Sequence, residues 1–439
     1  MIKTLRNRDF SLLWLGGLIS SAGDWVLAIG LPIYVYLLTR SVLATSITLI
    51  TSQLPGILLG SVAGIFVDRW DRRRTLVAAN ALLALGLLPL LLVRTPDLVW
   101  IVYAVAFVEG CLEQFTVPAQ NALLPALVGE EHLVAANSLN SVSSNLARLV
   151  GPALGGLIAA LGGLNGIVLA DAVSFVLAGL LIAGIRMRVT PAVTAAPAPS
   201  AESLPAAEVS ALRRAAREWA DGLRVIVHER TLSVLLLMFA ISMLGEGVFG
   251  VLYPVFVYRI LHGQALQIGQ LMSAQAVGGL IGGLLVGWIG PRVMSRWVIG
   301  LGQVFFGLID LAIFNTPAFF PAFWLSVGLF VAVGIPGLAS ITGAQSLLQA
   351  RTPAAYLGRV FGALGTTVGL LGLIGAVIAG TLTDRFGLIT VLNIQGAGHA
   401  LAGLLMIALL PRARKPATPP ASADAPAAEP PSALAEVEH

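Results

Sequence analysis

The sequence predicts an all-α polytopic membrane protein with twelve transmembrane helices in two pseudo-symmetric six-helix bundles. Of its 439 residues, 57% are hydrophobic and only 11% are charged, whereas soluble domains carry roughly 25% charged residues. Apolar stretches of about 20 residues, the length with which a helix crosses a bilayer, recur along the whole chain. Motifs of the first half also return in the second half at a nearly constant offset. Together these observations exclude a soluble globular protein.

The apolar stretches set the expected helix bounds, and we number them predicted helices 1 to 12 in chain order. They lie near residues 11–38, 44–67, 75–94, 98–118, 136–162, 165–185, 231–260, 266–290, 297–315, 319–341, 357–383 and 388–410. Cys111 is the only cysteine, so an internal disulfide is impossible.

The placement of lysine and arginine predicts the orientation in the membrane. Most of the 26 basic residues fall in the segments on one side of the predicted spans. The loops on the opposite side hold only Arg40, Arg94, Arg259 and Arg385. Because cytosolic loops collect positive charge, we expect a multi-pass protein of the cytoplasmic (inner) membrane with both termini in the cytosol. The net charge of +4 then reflects this orientation and does not indicate nucleic-acid binding.

Three pairs of motifs show that the chain repeats itself. In predicted helix 1, Gly23-Asp24 is followed by Pro32 and Val35-Tyr36. The corresponding residues of predicted helix 7 are Gly245-Glu246, Pro254 and Val257-Tyr258. Predicted helices 2 and 8 share Gly56, Gly60, Gly64, Arg69 and Arg73 against Gly279, Gly283, Gly287, Arg292 and Arg296. Ala119-Gln120 after predicted helix 4 matches Ala344-Gln345 after predicted helix 10. Six helices duplicated in parallel are typical of transporters whose substrate path runs between the halves.

The segments outside the helices divide the chain into four parts. We expect an N-terminal bundle over 1–189, a cytosolic linker over 190–229, a C-terminal bundle over 230–411 and a disordered tail over 412–439. The Ala/Pro-rich start of the linker and the tail have the composition of disordered segments. From Ser210 onward, apolar residues recur at helical spacing, which predicts an amphipathic helix on the cytosolic leaflet, although an ordinary tether fits equally.

The loop between predicted helices 2 and 3 reads Gly64-Ile-Phe-Val-Asp68-Arg69-Trp70-Asp71-Arg72-Arg73-Arg74. Arginines alone would fit a positive-inside anchor. The full spacing, however, resembles the loop signature Gly-x-x-x-Asp-Arg-x-Gly-Arg-Arg of the major facilitator superfamily, with Asp71 in place of the second glycine. The resemblance implies a secondary transporter in which Asp68 meets the cytosolic end of helix 11 and closes an inner gate. It assigns gating to Gly64, Asp68, Arg69, Arg72 and Arg73.

Charged side chains inside the predicted spans are costly and are therefore candidates for function. Asp24 and Glu246 occupy equivalent positions in predicted helices 1 and 7. Carboxyl groups that face a partly dry cavity can bind and release a proton during transport. Interhelical or capping hydrogen bonds are the alternative role. Asp171 and Asp310 fall nearer the outer ends of their helices, so we expect them to be solvated.

Glu109 and Glu113 lie one turn apart in predicted helix 4. At this spacing two carboxylates repel each other unless one is protonated or a cation lies between them. They can therefore form a cavity-lining pair that attracts a cationic substrate or carries a proton. Alternatively, one of them neutralises Arg148 of predicted helix 5, since a buried arginine requires a partner.

Predicted helix 5 contains Gly151-Pro152-Ala-Leu-Gly155-Gly156, which resembles the Gly-Pro-x-x-Gly-Gly end of the antiporter signature of the same superfamily. Glycines let helices approach closely and proline kinks a helix. The match is partial, because Ala147 and Ser138 stand where the full signature has glycine. The resemblance favours antiport over uptake, and a glycine-rich packing interface is the alternative. The helix 4 arginine of drug antiporters is missing from 98–118, so the coupling ion stays open.

Over about residues 8–410 the chain resembles the branch of the superfamily that includes enterobactin and macrolide efflux proteins. The resemblance implies a secondary-active exporter of a small amphipathic compound, a drug or a siderophore, working by alternating access and proton antiport. An uptake permease on the same fold remains an alternative. A membrane sensor or scaffold without transport is the second, but it gives no reason for the duplicated carboxyls of Asp24 and Glu246.

The remaining composition excludes several classes of protein. Neither of the two lysines, Lys3 and Lys415, follows a glycine, so the sequence has no Walker A loop for an ATP-driven pump. The five histidines are scattered without metal-ligand spacing. We therefore expect no enzyme, no metal and no cofactor. The expected partners are a small-molecule substrate, protons and the lipid bilayer, with the chain acting as a monomer.

Overall fold

The computed structural model describes residues 2–67, 70–186, 217, 219–320, 322–353 and 356–410. Helices account for nearly all of these residues, and no strand occurs among them. The bounds are α1 Arg8–Thr39, α2 Val42–Val67, α3 Arg72–Leu87, α4 Val99–Val128, α5 133–162, α6 164–183, α7 Arg230–Arg259, α8 Ala265–Ile289, α9 Arg296–Asn315, α10 Phe323–Arg351, α11 Leu357–Phe386 and α12 Leu388–Leu409. This confirms the predicted all-α polytopic fold.

Two of the predicted segments belong to one continuous helical run. Eleven helices of the described chain are long and apolar enough to cross a membrane, and the longest, Leu133–Ala183, contains both α5 and α6. The run turns at Gly163, whose φ of 55° and ψ of −147° suit glycine because it lacks a β-carbon. The chain thus reverses direction without an intervening loop, and the segment count agrees with the twelve predicted helices.

Two helices extend well beyond their predicted ends. α4 runs to Val128 instead of 118, and α10 runs to Arg351 instead of 341. Hydropathy falls at polar residues such as Gln120, but Leu123 and Leu127 farther along α4 are buried in the core. Apolar sequence therefore marks the part of the helix that lies in the bilayer, and tertiary packing carries the helix farther. α4 ends where Gly129 adopts a φ of 70°.

Local capping contacts explain where the N-terminal helices begin. The side chain of Asn7 accepts hydrogen bonds from the backbone of Asp9 and Phe10 and donates to the carbonyl of Leu127 at 2.7 Å. Asp71 starts α3, since its carboxylate accepts from the backbone N–H of Arg74 at 2.8 Å. An aspartate in place of the signature glycine is thus a helix cap.

The helices form two halves, α1 to α6 and α7 to α12, each with its own hydrophobic core clusters. The halves meet along α5 and α8 and along α2 and α11. At one end, Ile33, Tyr36 and Val42 join a core cluster of the second half. The described part of the linker forms a helix over 219–228 and packs on the second half, with Ile226 fully buried.

Small residues set the distance between α8 and α10. A β-carbon at Gly278 would overlap the carbonyl oxygen of Val331, and one at Gly334 would overlap that of Gln275. Close approach of this kind is the usual basis of helix association in membranes. The neighbouring Gly279 has open space at the same position.

We predict that Gly278→Ala destabilises the protein, because its methyl group meets backbone that cannot rotate away. The expected loss is about 1–3 kcal/mol, as for overpacked cores, measured as a lower melting temperature of the purified protein in detergent. Gly279→Ala is the matched control and should leave stability unchanged or slightly raised, since alanine favours helix by ~1 kcal/mol over glycine. Equal melting temperatures for the two variants would contradict this packing.

Candidate functional site

Carboxyl groups from three helices gather in the interior of the N-terminal half. Asp24 lies on α1, Glu109 and Glu113 lie on α4, and Asp171 lies on α6. Their charges are close enough to interact: Asp24 with Asp171 and Glu113, and Glu109 with all three others. Within the described chain, no basic side chain takes part in this cluster. Each proton or cation that binds here therefore relieves repulsion among the others.

Asp171 corrects the expectation of a solvated carboxyl. Its side chain is fully buried, and one carboxylate oxygen accepts a hydrogen bond from the Ser174 hydroxyl at 3.2 Å. Gly23 of α1 packs directly against Asp171 and Ser174. The position of a residue along the helix axis does not show whether a neighbouring helix covers its side chain. Here Gly23 has no side chain, so α1 lies close enough to bury Asp171.

A cavity of about 110 Å³ opens beside the carboxyl cluster, between α1, α3, α4 and α6. Asp24 and Glu113 reach its wall. Its other polar lining residues are Ser20, Ser21, Asn80, Thr116 and Gln120, and its larger apolar ones are Leu13, Leu76, Leu83, Val117, Phe175 and Ile182. We call this space the N-half chamber. It can accommodate a polar headgroup together with a small apolar part.

The C-terminal half carries a different polar cluster at the equivalent place. Asp310 of α9 is 3% exposed, which also corrects its predicted solvation, and it accepts from the Gln395 amide at 2.8 Å. Gln303 and His399 contact each other at 3.1 Å. Gly245 packs against Gln395 and His399, as Gly23 does against Asp171 and Ser174. The two glutamines and the histidine were not predicted from the sequence, although the repeat offset aligns Gln395 with Asp171.

Arg148 does not join the N-terminal carboxyls. It lies on α5 with an exposed side chain, close enough to Glu246 of α7 for attraction. Among the described residues the charge of Arg148 acts on Glu246 and not on Glu109 or Glu113, which favours Glu246 as its counter-charge. Since α5 and α7 belong to opposite halves, this attraction acts across the boundary between them. Asp24 and Glu246, although equivalent in sequence, lie in separate electrostatic environments.

Two arginines of loop 2–3 donate hydrogen bonds to backbone carbonyls of other helices, and the carbonyls that Arg73 contacts lie at a helix C-terminus. Arg72 donates to the carbonyl of Ala122 in α4 at 2.8 Å, and Arg73 donates to the carbonyls of Ile182 and Ala183 at the end of α6. Cations at a helix C-terminus are favourable because the last carbonyls carry partial negative charge. The second half repeats the contact, with Arg296 donating to Ile407 of α12. Gly64 lies in α2, whereas Asp68 and Arg69 lie outside the described residues.

The glycines of the α5 motif face two different neighbours. Gly151 packs against Trp25 and Gly155 against Val26, both on α1. Gly156 packs against Ala265 and Gly269 at the start of α8, and the carbonyl of Pro152 lies against Gly269. Through this motif, α5 packs against its own bundle on one face and against the other half on another face.

At the C-terminal ends of α1 and α7, two tyrosines and two arginines join the halves in a nearly symmetric contact. The rings of Tyr36 and Tyr258 lie edge to face at 5.9 Å. The Arg40 guanidinium lies 5.0 Å from the ring centre of Tyr258, and that of Arg259 lies 5.4 Å from that of Tyr36. Arg259 also donates a hydrogen bond to the Tyr36 hydroxyl. We call these four residues the tyrosine–arginine clasp.

The clasp was not predicted from the sequence. There, Tyr36 and Tyr258 are markers of the repeat, and Arg40 and Arg259 are loop charges. A signal was present, because each tyrosine follows its helix proline, Pro32 or Pro254, by four residues. Nothing in one sequence, however, shows that the two copies meet.

Comparison with known proteins agrees with this architecture. Residues 2–434 match the family model described as transmembrane secretion effector. Macrolide efflux protein A of Streptococcus pyogenes is 26% identical over 86% of this chain and 90% of its own length. The enterobactin exporter EntS of Citrobacter koseri is 27% identical over 94% of each.

Solved structures share the fold. A bacterial homologue of the iron transporter ferroportin in its inward-facing state has a TM-score of 0.73 at 19% identity, covering 92% of this chain and 99% of its own. The outward-facing state of such a homologue has a TM-score of 0.57 at 19% identity, covering 91% and 99%. The match to the family model spans almost the entire chain. The chain therefore belongs to the transmembrane secretion effector family of the major facilitator superfamily and is a membrane transporter of small molecules rather than an enzyme.

Proposed function

We propose that the protein exports a small amphipathic compound, a drug or a siderophore, across the cytoplasmic membrane by alternating access coupled to proton antiport. The observation that carries the proposal is the contact between the halves. At one end of the boundary between the halves, four side chains form the clasp. Ionisable groups lie deeper in both halves. The relatives whose names state macrolide efflux and enterobactin export support the direction of transport.

Alternating access requires that the two ends of the path open in turn. The clasp, together with the close contact of Gly156 with α8, closes the end where α1 and α7 finish. The better fit to an inward-facing than to an outward-facing structure supports the same assignment. In this scheme the clasp breaks when the protein opens outward, and loop 2–3, with Gly64, Asp68, Arg69, Arg72 and Arg73, forms the opposite gate.

Proton coupling would use the intramembrane groups of both halves. Asp24, Glu109 and Glu113 repel one another when charged, so a proton bound to one stabilises the cluster. Glu246 is attracted by Arg148 across the boundary, so the charge state of Glu246 affects how the halves attract each other. Substrate would bind as protons leave toward the cytosol, and protons would return from outside after release.

The proposed mechanism includes a topology for the termini, the two bundles, the linker and the tail. Both termini lie in the cytosol, the bundles 1–189 and 230–411 are the moving halves, and 190–229 and 412–439 are a cytosolic linker and tail. The chain acts as a monomer. The excess of basic residues on one side supports this orientation.

We expect the full chain, produced in an efflux-deficient bacterial strain, to lower the accumulation of at least one compound of a drug panel. A protonophore should abolish that difference. Asp24→Asn and Glu246→Gln should each reduce efflux at least tenfold, because neither residue can then change charge. Asp97→Asn, at an exposed loop carboxyl, is the control and should transport normally. Efflux that persists with a protonophore would rule out proton coupling.

We expect Tyr36→Phe to weaken the clasp, because it removes the hydroxyl that accepts from Arg259. A hydrogen bond of about 1 kcal/mol corresponds to a roughly fivefold larger outward-open population. A cysteine at the buried Ile33, in a Cys111→Ser background, would report it through faster labelling by an impermeant maleimide.

The matched control is Tyr258→Phe. This variant keeps the ring beneath Arg40 and loses no hydrogen bond seen among the described residues. Its labelling rate should stay near that of the parent. Equal rates for both phenylalanine variants would show that the hydroxyl of Tyr36 does not hold the outer end closed.

A further inference from the structure

Two buried carboxylate oxygens, one at the wall of the N-half chamber and one behind it, have no hydrogen-bond partner among the described residues. Oδ1 of Asp24 and Oδ2 of Asp171 are both buried without a hydrogen-bond partner. An unsatisfied buried acceptor is costly, and more so when it belongs to a charged group. Asp24 reaches the chamber wall, so its free oxygen favours a chamber ligand that donates hydrogen bonds.

The charge around the chamber is of one sign. The carboxyls of Asp24, Glu109, Glu113 and Asp171 interact with one another and with no basic side chain of the described chain. Arg72 and Arg73 donate hydrogen bonds to backbone carbonyls of α4 and α6. A cation that enters the chamber gains attraction from several carboxylates, whereas an anion is repelled.

A bare metal ion fits the chamber poorly. Among the described residues, no group of three histidine, cysteine, aspartate or glutamate side chains is close enough to hold one. Much of the lining is apolar, including Leu76, Leu83 and Phe175. Spread-out carboxylates beside an apolar wall suit a larger cation that carries both N–H donors and carbon.

We propose that the N-half chamber binds the protonated amine of the transported compound, so that the cargo class is the lipophilic organic amines and not anionic compounds. This rests on the proposed export function and narrows its substrate. Engineered cavities of about 150 Å³ hold a molecule the size of benzene. The chamber's volume of about 110 Å³ thus admits an ammonium headgroup with its nearest carbons.

Three probes of equal skeleton test the proposal: 4-phenylbutylamine, 4-phenylbutanol and 4-phenylbutyrate. Each is titrated at pH 7.5 into the purified full chain in phosphatidylcholine nanodiscs, with empty nanodiscs subtracted, and binding is measured by calorimetry. The amine should bind at least tenfold more tightly than the alcohol, and the acid should bind weakest. Equal binding of the amine and the alcohol would overturn the proposal.

Variants locate the preference. Asp24→Asn and Glu113→Gln should each reduce the amine-to-alcohol ratio about tenfold, whereas Asp310→Asn, a buried carboxyl of the other half, should leave it unchanged. Two substitutions on different helices, each checked by its unliganded melting temperature, separate a lost site from a lost fold. An intact preference in both variants, or an equal loss in Asp310→Asn, overturns the assignment to this chamber.

The two proposals fail separately. Amine preference in a protein that exports nothing would remove the proposed function and leave the site. Export without amine preference would remove the site and leave the function.

Discussion

The absence of water from the bilayer interior is the constraint on which the whole structure depends. It requires each spanning segment to satisfy its backbone internally, hence the helices. It also leaves no hydrophobic force between helices, so packing relies on small residues such as Gly278 and Gly334. Ionisable groups must then meet partners, protons or a ligand inside the bundles, and this is where Asp24, Asp171 and Asp310 lie.

Much of the fold could be predicted because hydropathy and the repeat act along the sequence. Twelve segments, the turn near 163 and the duplication of six helices all follow from patterns within single helices or between copies. Helix ends were predicted less accurately from the sequence. α4 extends to Val128 because buried packing continues the helix past the apolar stretch.

The candidate site was only partly predictable. The sequence shows which carboxyl groups lie inside a membrane span, where they are costly. It does not show which face of the helix each one covers or which neighbours surround it. Asp171 was expected in solvent and is buried because Gly23 of another helix covers it. Arg148 lies near Glu246 of the opposite half, a pairing that depends on how two bundles dock. The clasp likewise arises from residues more than 200 positions apart, which no local pattern brings together.

The run Leu133–Ala183 has a mechanical consequence. α5 contacts the other half through Gly156, and α6 carries Asp171 beside the carboxyl cluster. Only Gly163 separates these two rods, with no loop to absorb movement. In the alternating access proposed above, a tilt of α5 would be taken up by the dihedral angles of Gly163 or be passed to α6. Under that proposal, a rearrangement at the boundary between the halves would change the spacing of the buried carboxyls through this single hinge.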